Sequence, residues 1–187
     1  MASRPEGEVI VQARPLEGLP AYGEPALSFP RPDAFSEGFV VEFVATAGER
    51  WIGNFASGPA GGAQSIHVEF GPRDVIVFSG GAGYVIDIES RCLVADLGFG
   101  FDWLEFVEEL GILVACNDLW FEAFVGRKRK WRTRRVSWDE IRNIRRAGTT
   151  DTAEACNLDG DWYPLVLDVV TGQVVGGSYY APDASDF

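Results

Sequence analysis

From Phe39 onward, apolar residues come in short runs cut by turn-forming residues at intervals of roughly 8 to 12, a rhythm that belongs to strands rather than helices. Phe39–Ala45 and Arg50–Ala56 flank Thr46-Ala47-Gly48-Glu49 and predict a hairpin. A glycine-rich loop, Gly58 to Gly62, follows. Ile66–Phe70 and Val75–Phe78 are divided by Gly71-Pro72-Arg73-Asp74. Tyr84–Ile88 joins Cys92–Ala95 through Glu89-Ser90-Arg91, and Ile112–Cys116 joins Leu119–Val125 through Asn117-Asp118. Tyr163–Val169 and Gln173–Val175 close the series through Thr171-Gly172. The pattern predicts a mainly β fold: an antiparallel sheet, a barrel or partial-propeller-like hairpins, with one or two short helices.

The helices are predicted from caps. Ser137-Trp138-Asp139-Glu140 reads as a capping box, followed by Ile141 and Ile144 at helical spacing and by Gly148 as terminator. Arg142, Arg145 and Arg146 would then sit toward the negative end of the helix dipole. Trp103–Leu110 is the second candidate, with Asp102 and Glu105 as cap partners and Gly111 as its end. Its aromatic residues would equally suit an edge strand.

The N-terminal segment, residues 1–36, reads differently. Glu8–Arg14 predicts one short strand, and Pro15, Pro20, Pro25, Pro30 and Pro32 then make a surface strap. Residues 37–187 read as a single β-rich domain. Within it, the segment from Val85 to Val94 aligns without gaps on Val166 to Val175, each reading as apolar, apolar, Asp, apolar, turn, strand. The aspartate can accept from turn amides two residues on.

Of the 187 residues, 47% are hydrophobic, enough for a substantial core. No apolar run approaches the roughly 18 residues that span a bilayer. The first fifteen residues lack the apolar core of a secretory signal. Cys92, Cys116 and Cys156 lack metal-ligand spacing and read as buried thiols, so a cytoplasmic location is expected. Net charge is −12, unevenly spread: Arg127 to Arg146 holds ten of the sixteen basic residues and two acidic ones, +8, against −20 elsewhere. Global acidity argues against a general nucleic-acid binder, while the basic window keeps an anionic partner open.

Few motifs carry chemistry. His67 is the only histidine, and alternation points it to solvent; no nucleophile elbow accompanies it. Ser79-Gly80-Gly81-Ala82-Gly83 precedes a strand rather than the helix that a phosphate loop needs. Asn157-Leu158-Asp159-Gly160-Asp161 is a better hairpin turn than a calcium loop. Glu105, Glu108 and Glu109 could supply a general acid and base only if they faced each other in a cleft. No catalytic residue, metal ligand or cofactor site is assigned.

The strongest candidate is Arg127-Lys128-Arg129-Lys130-Trp131-Arg132-Thr133-Arg134-Arg135, basic residues interleaved with Trp131. On a strand, Lys130, Arg132 and Arg134 would share one face, a charged display that protects a sheet edge or pairs internally. Leu119-Trp120-Phe121-Glu122-Ala123, then Trp131-Arg132-Thr133-Arg134-Arg135-Val136-Ser137-Trp138-Asp139, resembles a group of uncharacterised bacterial β-rich proteins. Leu167-Asp168-Val169-Val170-Thr171-Gly172-Gln173, with Gly176-Gly177, shares the resemblance. It implies a compact bacterial cytoplasmic protein and brings no activity or site residues.

The expected function is a non-catalytic binding protein with a protein partner, for which a toxin-neutralising immunity-type protein is one concrete version. An acidic inhibitor would be steered to a basic target. Trp120, Trp131, Arg132 and Arg134 are the expected contact residues, since Trp and Arg anchor interfaces. The alternatives are a carboxylate-based hydrolase and, more weakly, nucleic-acid binding through residues 127–146.

Overall fold

The structure, a computed structural model, describes residues 12–32, 38–59, 61–71 and 73–179. It is mainly β. In chain order the strands are β1 Gln12–Leu16, β2 Leu27–Phe29, β3 Gly38–Val44, β4 Arg50–Ala56, β5 Ser65–His67, β6 Asp74–Ser79, β7 Ala82–Asp87 and β8 Cys92–Gly98. They continue with β9 Trp103–Val107, β10 Ile112–Cys116, β11 Phe121–Val125, β12 Lys128–Arg132, β13 Ile141–Ala147, β14 Thr150–Cys156, β15 Trp162–Asp168 and β16 Val174–Gly176. They form four four-stranded sheets, ordered β1-β3-β4-β2, β5-β6-β7-β8, β12-β11-β10-β9 and β13-β14-β15-β16. The chain divides into two compact units, Met1–Phe99 and Gly100–Phe187.

In the first unit, hairpin β3–β4 is flanked by antiparallel β1 and parallel β2. Pro15 lies in β1, an edge strand, where its missing N–H costs no ladder bond on the open side. The proline-rich strap thus contributes strands at both edges of its sheet. Residues 8–11 of the expected first strand and the expected boundary at residue 36 lie outside the described residues. Between the two sheets, Phe43, Trp51 and Phe55 pack with Val75, Val77, Tyr84, Ile86 and Ile88. Phe43 stacks on Trp51, with ring centroids 4.4 Å apart. The turn between β6 and β7 is tight: a side chain at Gly83 would meet the Phe78 ring at 2.8 Å. The Ser79–Gly83 glycines therefore serve close packing, as the absence of a following helix suggested.

In the second unit, two antiparallel sheets enclose Val107, Ile112, Val114, Phe121 and Ala123 from one and Ala153, Ala155, Leu165 and Leu167 from the other. β10 is buried at every position, which explains its unbroken apolar run.

The two expected helices are corrected here. Ser137 does not cap a helix: its one hydroxyl proton is shared between the Glu140 carbonyl at 2.7 Å and the Cys156 carbonyl at 3.0 Å, and the chain enters strand β13. Ile141 and Ile144 share the core side because the β13–β14 register shifts between Arg142 and Arg145, with Asn143 at φ 55°. One bulged residue turns the strand's period of two into a spacing of three, which mimics a helix. Trp103–Leu110 is edge strand β9 followed by a single 3₁₀ turn, Glu108–Leu110, ended as expected by Gly111 at φ 60°. Glu108–Leu110 is the only helical turn among the described residues. Of the cysteines, Cys116 and Cys156 are buried, but Cys92 is exposed, because it opens edge strand β8.

The aligned segments share one geometry. Asp87 Oδ1 accepts from the amides of Glu89 (3.1 Å) and Ser90 (3.0 Å), and Asp168 Oδ1 from those of Val170 and Thr171 (both 2.9 Å). Each turn leads from the third strand of its sheet to the fourth. Each is clasped by a tryptophan of the facing sheet: Trp51 Nε1 donates to the Ile88 carbonyl (3.1 Å), and Trp131 Nε1 to that of Val169 (3.0 Å).

Candidate functional site

The basic run folds as the edge strand β12, joined to β11 by a tight turn at Gly126-Arg127. Glu122 pairs with Arg132 and Ala123 with Trp131; the register then shifts, and Phe124 pairs with Arg129. The bulge falls at Lys130, so Arg129 takes the place opposite Phe124 that an unbroken ladder would give to Lys130. Arg129 and Arg132 thereby come to the same carboxylate. Glu122, with only 6% of its side chain exposed, accepts from Arg129 Nη1 at 3.2 Å through Oε2. Its Oε1 accepts from Trp120 Nε1 at 2.9 Å and lies 3.5 Å from Arg132 Nε. The Arg132 guanidinium lies over the Trp120 ring, 3.8 Å from its centroid. A buried carboxylate that gathers an indole N–H and two guanidinium groups is well compensated. It also holds those groups in place: Arg129 and Arg132 keep about half and two fifths of their side chains in solvent (51% and 40%).

Trp120 and Arg132 are thus brought together, and Trp131 and Arg134 go elsewhere. Trp131 joins the core, its ring 2.6 Å from where a side chain at Gly172 would begin. Arg134 donates to the carbonyls of Tyr179 (2.9 Å) and Gly176 (3.2 Å). Arg135 donates to those of Ser137 and Trp138, with its guanidinium against Trp138 and Tyr179. Arg142 pairs with Glu154 (2.9 Å) and covers Trp162. Arg146 pairs with fully buried Asp151 and reaches Glu105 at 3.2 Å. Much of the basic run is therefore internally engaged. Sequence reasoning missed Glu122 and Arg129 as members of the site. The available signal was Trp120-Phe121-Glu122: two residues on one strand face, opposite a basic strand two turn residues away.

The other chemistry-bearing groups are dispersed. His67 does not face solvent: 13% of its side chain is exposed, because it packs edge-on against Phe78. Its Nε2 lies 2.9 Å from Ser65 Oγ, and its Nδ1 lies 3.9 Å from Glu69 Oε2. Burial lowers the His67 pKa, with Glu69 opposing, so the ring favours its neutral form. Burial raises the pKa values of both Asp102 and Asp118. The Asp118 charge adds to the shift at Asp102, and the Asp139 charge to that at Asp118. Burial and the nearby aspartates push the Cys116 thiol well above its usual range. Glu105, Glu108 and Glu109 border a cavity of about 470 Å³ with Arg146. No grouping among the described residues could hold a metal ion, and no described helix is long and apolar enough to cross a membrane.

Fold and site together define a mainly β protein in which two arginines of an edge strand are pre-arranged beside a tryptophan that precedes the neighbouring strand. No family model matches the sequence, and no curated protein does. Among solved structures, the chain is similar to BamB from Moraxella catarrhalis, at 14% identity and a TM-score of 0.45. The likeness covers 84% of this chain and 54% of that one, so the chain spans about half the length of its neighbour.

Proposed function

We propose that this is a non-catalytic binding protein that holds a protein partner through the Trp120–Arg132 surface of the second unit. One observation carries the reading: Glu122 fixes Trp120, Arg129 and Arg132 in a single half-exposed cluster. Trp and Arg are the residues most enriched at interface hot spots, and side chains already immobilised lose little entropy on binding. A toxin-neutralising immunity-type protein is the concrete version we favour, working in the cytoplasm.

The test is quantitative capture of the bound protein by wild type and by Trp120→Ala and Arg132→Ala variants. Each variant is expected to lower affinity by about tenfold or more, the loss of ~1.4 kcal/mol or greater that marks an anchor residue. Capture indifferent to both substitutions would defeat the reading.

The hydrolase alternative has one feature in its favour, the neighbouring carboxyls Asp102 and Asp118, both held above their ordinary pKa by burial. Turnover of an ester or glycoside that disappears in Asp118→Asn would establish it. Absence of turnover across such substrates is the expected result.

A further inference from the structure

The chemistry of the partner's contact segment is written into β12. Lys128, Arg129, Lys130 and Arg132 set four positive charges against the one negative charge of Glu122, a local balance of +3. Arg129 and Arg132 commit few of their N–H groups to Glu122, and an arginine carries five. Lys128 and Lys130 are exposed and make no ion pair among the described residues. At physiological salt the Debye length is about 8 Å, so a group touching β12 meets this local field rather than the net charge of the molecule.

Two features choose between anionic partners. One face of Trp120 already carries the Arg132 guanidinium, which leaves no open platform there for a nucleobase to stack on. A long polyphosphate chain would extend beyond the patch, over a molecule whose net charge is −12. A short acidic stretch of protein suffers neither penalty. The edge itself carries lysines and a bulge, both of which discourage the addition of a partner strand, so contact falls to side chains.

Resting on the binding reading above, we infer that the partner docks a short acidic segment on β12, its carboxylates meeting Arg129, Arg132 and Lys130, while Lys128, paired with Val125 one register position on, adds to the local field. Such a segment completes the coordination that Glu122 begins, with charge-assisted and partly bidentate hydrogen bonds to guanidinium groups held in place beforehand. A partner basic overall is compatible, provided that its contact segment is acidic.

Octaglutamate is the probe, titrated at low salt into the full chain and followed by the indole N–H resonance of Trp120, identified by its loss in Trp120→Phe. Saturable movement of that resonance is expected, with affinity reduced about tenfold in the doubly substituted Lys128→Glu, Lys130→Glu chain. Both lysines are exposed, so this variant should keep the wild-type spectrum elsewhere. An oligo-deoxythymidylate of matched charge should bind more weakly. Three results would overturn the inference: no movement, binding indifferent to the double substitution, or oligonucleotide binding as tight as that of the peptide. If octaglutamate fails while capture of the partner still depends on Trp120 and Arg132, only the acidic-segment inference falls. If capture ignores both residues, the binding reading itself falls.

Discussion

Trp51 and Trp131 do the same work in the two units, each donating its single N–H to the carbonyl that follows a turn aspartate. Phenylalanine would keep most of the ring and remove the donor, stranding a carbonyl in the core. Trp131→Phe should therefore cost about 1–2 kcal/mol in urea unfolding, the usual price of a lost buried hydrogen bond, and Trp51→Phe a similar amount. The turn aspartates differ in setting. Burial alone would raise the Asp87 pKa; the amides of Ser90 and Glu89 and the Arg73 guanidinium, 2.9 Å away, outweigh it and hold the carboxyl below its ordinary value. A depressed carboxyl stabilises fully above its unfolded value of roughly 3.9, and that contribution is lost as pH falls through the folded value. Asp87→Asn should accordingly melt below wild type at neutral pH, and the gap should narrow below about pH 4. A gap unchanged with pH would show that the charge contributes nothing. These aspartates were legible in the sequence because an Asx turn is local chemistry. The tryptophans that clasp them were not, because 37 and 38 residues separate donor from acceptor.

Bulges decide both what the sequence revealed of the elements and what it hid. Hairpins β3–β4 and β10–β11 were readable because period-two alternation or an apolar run stood beside a turn signal. β14 was missed because Thr150-Asp151-Thr152-Ala153-Glu154-Ala155 offers little bulk on either face; its aspartate is buried only through pairing with Arg146. β13 was misread because Asn143 at φ 55° inserts one residue between two isoleucines. That conformation suits asparagine and punishes β-branched residues. Asn143→Val should destabilise the second unit by about 1–2 kcal/mol, measured by thermal or urea unfolding, whereas Asn143→Gly should cost little. If Asn143 instead lay in a helix, valine would be nearly harmless and glycine the worse substitution. The bulge at Lys130 has the opposite consequence: it assembles a site, by setting Arg129 beside Arg132 on Glu122. Composition showed a basic strand, but which guanidinium groups converge depends on a one-residue slip in register.

Across the molecule, charge is acidic in both halves: six basic against thirteen acidic residues in 1–99, and ten against fifteen in 100–187. β12 is a local reversal within an acidic second unit. Much of the +8 window that the sequence displays is neutralised internally, through Glu122, Glu154, Asp151 and Glu105, or bonded to carbonyls. Arg145 on β13 also faces outward with no ion pair among the described residues; on β12, what remains facing outward is the cluster around Trp120 and the two lysines. That remainder is what we read as the contact surface. The most direct test places a photo-crosslinking residue at Lys130, and separately at Leu158, a 74% exposed position in the β14–β15 turn, and irradiates living cells. A discrete protein adduct from position 130, absent from position 158 and lost when Arg132→Ala is added, is the predicted result. No adduct at 130, or the same adduct from both positions, would contradict a binding role for this surface.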